Sequence, residues 1–245
     1  MKFMVLKRVV RFTRLTYYTL VMYFITHAIV FILFPIWFIL TFFRPKVIRF
    51  LKPLFCRLLL TIVNKDVKVF GLNKIERSKH YLIVSNYPSF HAGFMLMMLF
   101  PHAFIVAHPF MSKVPLISFM LKRNGFIYAH HKDYCRTKQT INEIIGRSKG
   151  SSIIILPEGK RTHDGNIKEF KRGFLYILRN TSLDLLPITL NGFYMLKPVN
   201  RFYMEPDTEL EIIIHKPINQ SAIETLSDKQ LLAVARTPIE GSYKQ

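Results

Sequence analysis

Acidic residues are scarce in this chain and missing from its first quarter. Only 15 Asp and Glu stand against 35 Lys and Arg, for a formal net charge of +20, and Asp66 is the first acid. So basic a chain faces something anionic: lipid head groups, a phosphorylated substrate or nucleic acid. Cysteine is scarce too. Cys56 and Cys135 make no C-x-x-C pair, which excludes a disulfide framework and points to a reducing compartment with free thiols. Neither a G-x-G-x-x-G nor a P-loop occurs, so nucleotide-driven chemistry has no support. Internal repeats and low-complexity segments are also missing.

What is there in excess is apolar. Half the residues are hydrophobic and the mean hydropathy is +0.21, an unusual pairing with so high a charge. Leu15–Phe43 runs 29 residues without a Lys, Arg, Asp or Glu. As one helix it would reach about 43 Å, beyond the roughly 30 Å of a bilayer's hydrocarbon core. The run is too long for a signal peptide and lacks a small-residue cleavage pattern, so it reads as retained. Pro35 is placed to kink or break it. Both flanks are basic: Lys2, Lys7, Arg8, Arg11 and Arg14 before, then Arg44, Lys46, Arg49, Lys52 and Arg57 after. Equal flanks give no orientation by the positive-inside rule. Two insertions fit, a bent helix or hairpin dipping into one leaflet and a tilted span. Residues 1–62 are thus expected to be an apolar membrane-embedded helical anchor. The remainder is expected on the cytoplasmic face.

From Asp66 the pattern changes. Short apolar runs at Val67–Phe70, Tyr81–Val84, Ala103–Ala107, Phe126–Ala129, Ile153–Leu156, Leu185–Leu190 and Leu210–Ile214 read as strands. Helical stretches at His91–Leu99, Pro115–Lys122, Arg136–Ser148 and Lys171–Arg179 lie between them. This alternation predicts an α/β domain over 63–220, a largely parallel sheet flanked by helices. Residues 221–245 read as a short helix and a polar tail.

The richest stretch is Ile153 to Arg161. A buried apolar strand ends at Pro157 and is followed at once by Glu158, Gly159, Lys160 and Arg161, where open α/β sheets place their ligand chemistry. Gly159 allows close backbone approach, and Arg161 offers a planar fork suited to phosphate. A strand-to-loop turn with solvated charges would read the same way.

Four segments together resemble the glycerolipid acyltransferase family. Leu156-Pro157-Glu158-Gly159-Lys160-Arg161-Thr162, followed by Phe170-Lys171-Arg172-Gly173, is similar to the family's F-P-E-G-T-R…F-K-x-G block. Pro109 to Ile127 is similar to the stretch ending in G-x-I-F-I, Leu186-Pro187-Ile188 to the V-P-V element, and Val84 to Ala92 to the N-H-x-S-x-x-D segment. The resemblance covers about residues 63–215. It implies transfer of a fatty acyl group from acyl-CoA or acyl-carrier protein to a lysophospholipid such as 1-acylglycerol-3-phosphate, at a membrane, without cofactor or metal. It also implies that Glu158, Gly159, Lys160 and Arg161 bind the acceptor, with Lys171 and Arg172 in support or merely solvated at a helix start.

The departures are as informative. Aligned on Asn86 and Ser89, the family's catalytic His and Asp fall on Tyr87 and Ala92. A phenol, with an ordinary pKa of about 10, is a poor base at neutral pH. His91, one helical turn on from Tyr87, is the alternative base. It could equally be a satisfied histidine at a helix start. His163 stands in for a second family arginine, and His130-His131 for an Asp-Arg pair. Neither brings the thiolates or carboxylates of a metal site. Two readings stay open: an active acyltransferase using His91 and Tyr87, or a catalytically weakened relative that binds lipid or supports a partner. Nucleic-acid binding is set aside, because the basic residues cluster around the apolar segment and carry no recognition motif.

Overall fold

The computed structural model describes residues 2–244 apart from 44–46, 48–49, 52, 55–65, 77, 109–112, 114, 130–133 and 206. His130 and His131 therefore lie outside the described residues. The chain opens with one long helix, α1 (Lys2–Phe43), which runs through Pro35 without a break.

Seven strands follow as one sheet: β1 (Val67–Phe70), β2 (Tyr81–Ser85), β3 (Phe104–Ala107), β4 (Phe126–Tyr128), β5 (Ile153–Ile155), β6 (Asp184–Asn191) and β7 (Leu210–Ile214). Their order is β1-β7-β6-β2-β5-β3-β4. Every neighbouring pair is parallel except β6 with β7. The central strands are buried on both faces, so they read as unbroken apolar runs rather than as alternation. Leu82, Ile83, Val84, Ile153 and Ile154 are all at 0% exposure.

Period-two geometry divides those side chains between two cores. Ile83 and Ile154 pack with Met95 and Leu96 of α2 (Phe90–Leu99) on one face. Leu82, Val84 and Ile153 pack on the other with Ile144 of α4 (Tyr134–Ser148) and Phe174 and Leu178 of α5 (Gly173–Arg179). A further helix, α3 (Pro115–Arg123), leads into β4.

Residues 221–245 are no polar tail. After α6 (Phe193–Leu196) and α7 (Gln220–Thr225) comes α8 (Asp228–Ser242), whose Leu231, Ala235 and Ile239 are fully buried in the second core. A capping box at Ser227 and Gln230 starts α8, satisfying amides that the helix cannot pair itself.

Helix α1 is docked on this domain near both its ends. Thr19 is buried and accepts from the Met204 amide at 2.9 Å, and Arg11 pairs with Glu205 at 3.0 Å. Farther along, Thr41 accepts from Asn124 at 3.4 Å and the Phe42 ring lies 5.9 Å from that of Phe119. Among the described residues no helix is long and apolar enough to cross a membrane. The docking says the same in physical terms. Thr19 and Thr41 are separated by about 33 Å of helix, yet both touch one folded body, which a simple span could not do. The tilted span expected as one alternative is not supported. The opposite side of α1 leaves Tyr17, Phe24, Phe31, Ile32 and Phe43 more than 60% exposed.

Candidate active site

Adjacent parallel strands β2 and β5 send their following helices to opposite faces: α2 to the first core, α5 to the second. A crevice opens between the two departing loops, the position where open α/β sheets bind ligands. It is a cavity of about 730 Å³, lined by Tyr87 from the β2 loop, by Gly159, Lys160, Arg161 and Lys171 from the β5 loop, and by apolar residues that include Phe94, Ile105, Ile144 and Phe174. The sheet thus brings together Tyr87 and most of the cationic block. Arg172 does not line the cavity; it is exposed at the cap of α5.

The two loops are fastened by Glu158. This carboxylate is 4% exposed and accepts from the Tyr87 amide at 2.7 Å and the Lys168 amide at 3.1 Å. Burial raises its pKa, opposed by those amides. The Thr162 amide donates in turn to the Tyr87 carbonyl at 3.2 Å. Both Glu158 oxygens are therefore occupied by backbone, and the residue works as a clamp between segments 87 and 168. Gly159 turns the chain with φ +71, and an added Cβ would sit 2.7 Å from the Lys171 ammonium. Only a residue without Cβ takes that conformation cheaply while letting Lys171 cross over it.

Asn86 locks the β2 loop to β6. Its amide donates to the Leu190 carbonyl at 3.0 Å and its oxygen accepts from the Leu190 amide at 2.8 Å. Tyr87 stays protonated, because burial raises its pKa against the opposing pull of Arg161. It is a hydrogen-bond donor at neutral pH. Ala92 is fully buried in the first core, so an aspartate there would be a carboxylate among apolar side chains.

His91 lies on the first turn of α2, between Tyr87 and Gly93, which both line the cavity. Its Nδ1 and the hydroxyl of Ser89 are buried without a hydrogen-bond partner. Leaving a buried polar atom unpaired costs about 1–3 kcal/mol; both lie beneath the wall formed by Tyr87 and Gly93 and are not themselves among the lining residues. Burial, then Lys197 and Arg161, lower the His91 pKa to about 4. The imidazole is neutral at physiological pH, as a proton acceptor must be, though weakly basic. No carboxylate is hydrogen-bonded to it among the described residues. Nor do the described residues bring three or more His, Cys, Asp or Glu together as a metal site.

The loop beyond Arg161 is held from α8. Thr162 donates to Asp164 at 2.7 Å, Asp164 accepts from Asn166, and the Tyr243 hydroxyl donates to the Gly165 carbonyl at 2.6 Å. The bonds from Thr162, first, and from Asn166 lower the Asp164 pKa to about 2. Sequence reasoning missed Tyr243 and also Lys197.

Comparison with known proteins agrees with this architecture. The family model described as Acyltransferase matches residues 66–191. A chloroplast 1-acyl-sn-glycerol-3-phosphate acyltransferase of Arabidopsis thaliana is 24% identical over 173 residues, which are 70% of this chain and 49% of that protein. A 1-acyl-sn-glycerol-3-phosphate acyltransferase of Borreliella burgdorferi is 22% identical over 189 residues, 74% of this chain and 72% of that one. The chain spans about half the length of the plant relatives it matches. The crystal structure of PlsC from Thermotoga maritima, described as a 1-acyl-sn-glycerophosphate acyltransferase, superposes with a TM-score of 0.77 at 23% identity, covering 94% of this chain and 95% of that one. At that identity the likeness is one of fold.

Proposed function

The chain belongs to the acyltransferase family, and from that premise we propose that it transfers a fatty acyl group from acyl-CoA or acyl-carrier protein to a lysophospholipid such as 1-acylglycerol-3-phosphate in phospholipid biosynthesis. One observation carries the reading. A neutral His91 with an unpaired Nδ1 stands on α2 between Tyr87 and Gly93, which line an apolar cavity shared with Arg161, and within electrostatic reach of Arg161. The acyl chain occupies the apolar part of the cavity, and Arg161, Lys160 and Lys171 face the acceptor's phosphate. His91 takes the proton from the acceptor hydroxyl as its oxygen attacks the thioester carbonyl. The C–S bond then breaks, the thiol leaves with that proton, and an ester remains. Tyr87, protonated, donates a hydrogen bond to the developing oxyanion or the leaving group. Glu158 acts on the acceptor block by holding it to the β2 loop.

The exposed apolar side of α1 and the net charge of +20 support a one-leaflet seat on an anionic membrane, on its cytoplasmic face. Apolar area buried in the lipid and cations at its surface would both favour that seat. A second reading, a relative that binds lysolipid without transferring acyl groups, is favoured because among the described residues no carboxylate is hydrogen-bonded to His91. An assay of the purified full chain in detergent micelles, with labelled acyl thioester and a panel of lysolipids, decides between them. Labelled phosphatidate is expected. Binding of lysolipid without any labelled product would establish the second reading.

A further inference from the structure

We propose that Lys197 is a second cationic ligand for the acceptor's phosphate, acting with Arg161, and that the pair selects lysolipids ending in a phosphomonoester. The proposal rests on the acyltransferase reading and names the acceptor class it uses. Lys197 follows α6, in a segment that β6 delivers through Gly192. A Cβ on Gly192 would lie 1.9 Å from the Glu209 carbonyl oxygen, and its φ is +79, so the path of this segment is narrowly set. The segment is fixed against the acceptor block on both sides of Lys197. The Tyr194 hydroxyl donates to the His163 carbonyl at 2.9 Å, and Val199 lines the same cavity as Arg161.

The Lys197 ammonium is half-buried and donates to the carbonyls of Pro198 and Arg201. Burial, and then Arg161, push its pKa down. The same two cations act together on His91. Neither meets a carboxylate among the described residues. Two cations of like sign within electrostatic reach of each other, one of them partly desolvated, repel unless an anion joins them. A phosphomonoester carries about −1.5 to −2 at pH 7, which matches the pair. A phosphocholine head group brings one negative charge and a cation that both would repel, whereas a monoacylglycerol brings no charge. The pair also makes good the cation lost where His163 replaces an arginine in the family pattern. An incoming phosphate would screen His91 from both cations, so the base strengthens when the acceptor is in place.

The test uses the purified full chain in micelles, with 1-acylglycerol-3-phosphate, 1-acylglycerophosphocholine and monoacylglycerol as acceptors. Lys197→Met is expected to raise the KM for the phosphomonoester by about 10- to 100-fold, the loss of one charged hydrogen bond. The KM for the acyl thioester stays unchanged, the preference over monoacylglycerol narrows, and Lys197→Arg restores most of it. An unchanged acceptor preference in Lys197→Met, or an equal loss for donor and acceptor, overturns the proposal. Equilibrium binding of 1-acylglycerol-3-phosphate without thioester keeps the two readings apart. If wild type binds it and transfers nothing, the acyltransferase reading fails alone. If Lys197→Met binds it as tightly as wild type, the role of Lys197 fails whatever the chemistry.

Discussion

Glu158→Gln separates a clamp from a ligand. The family pattern makes this residue an acceptor ligand, whereas its carboxylate is buried and bonded to two backbone amides at 2.7 and 3.1 Å. Glutamine keeps the shape and one accepting oxygen, but its NH2 then faces an N–H. One charged hydrogen bond is lost, about 1.5–3 kcal/mol, and a buried donor is left unpaired for about 1–3 more. Part of this returns, because burial already disfavours the charge on Glu158 and a neutral amide escapes that cost. A net loss of about 2 kcal/mol is expected, which for a domain of this size lowers Tm by about 4–8 °C. Thermal melting in detergent, beside kcat and KM for donor and acceptor, measures it. The expected variant melts early and loses kcat for every acceptor alike. A variant that melts with the parent and shows only a raised acceptor KM would refute the clamp.

Two further outcomes follow from the same structure. The folded-state pKa of His91, about 4, lies below its ordinary value of about 6.5. Between those values the unfolded chain takes a proton that the folded chain refuses. Stability is complete above about pH 6.5 and falls toward pH 4, by about 3 kcal/mol at most. Melting from pH 4 to 7 should show that slope in the parent and less of it in His91→Asn; equal slopes would contradict the buried, neutral imidazole. For α1, the full chain should sediment with anionic vesicles through high salt. Phe24→Ser with Phe31→Ser should weaken this by roughly 1.5–3 kcal/mol per side chain, and a chain that stays in the supernatant with vesicles present would refute the membrane seat.

The fold was widely legible in the sequence. All seven strands fall where short apolar runs are bounded by turn residues, and β1 and β7 match to the residue. The direction of β7 was not legible, because it depends on the long connection after α6 and not on the strand itself. Helix α8 was hidden by Pro238 and Gly241, poor helix formers, although Leu231, Ala235 and Ile239 at four-residue spacing carried the signal. Pro35 was expected to kink or break α1, but the helix runs through it without a break; a proline removes one backbone bond and the neighbouring turns keep theirs. In the site, the Glu158–Arg161 block was readable because strand end, glycine and cations are contiguous. Lys197 was not. It is a lone cation in a loop, and only the packing of that loop against His163 brings it near Arg161.

His91 as the general base is the role on which the proposed transfer depends most directly. Single-turnover transfer from labelled acyl thioester to 1-acylglycerol-3-phosphate, in wild type and His91→Ala, tests it. The expected result is transfer by wild type with a rate about 10²–10⁴-fold lower in His91→Ala, the loss typical of a missing general base, while acceptor binding persists. A His91→Ala variant that keeps the parent's rate would contradict the account.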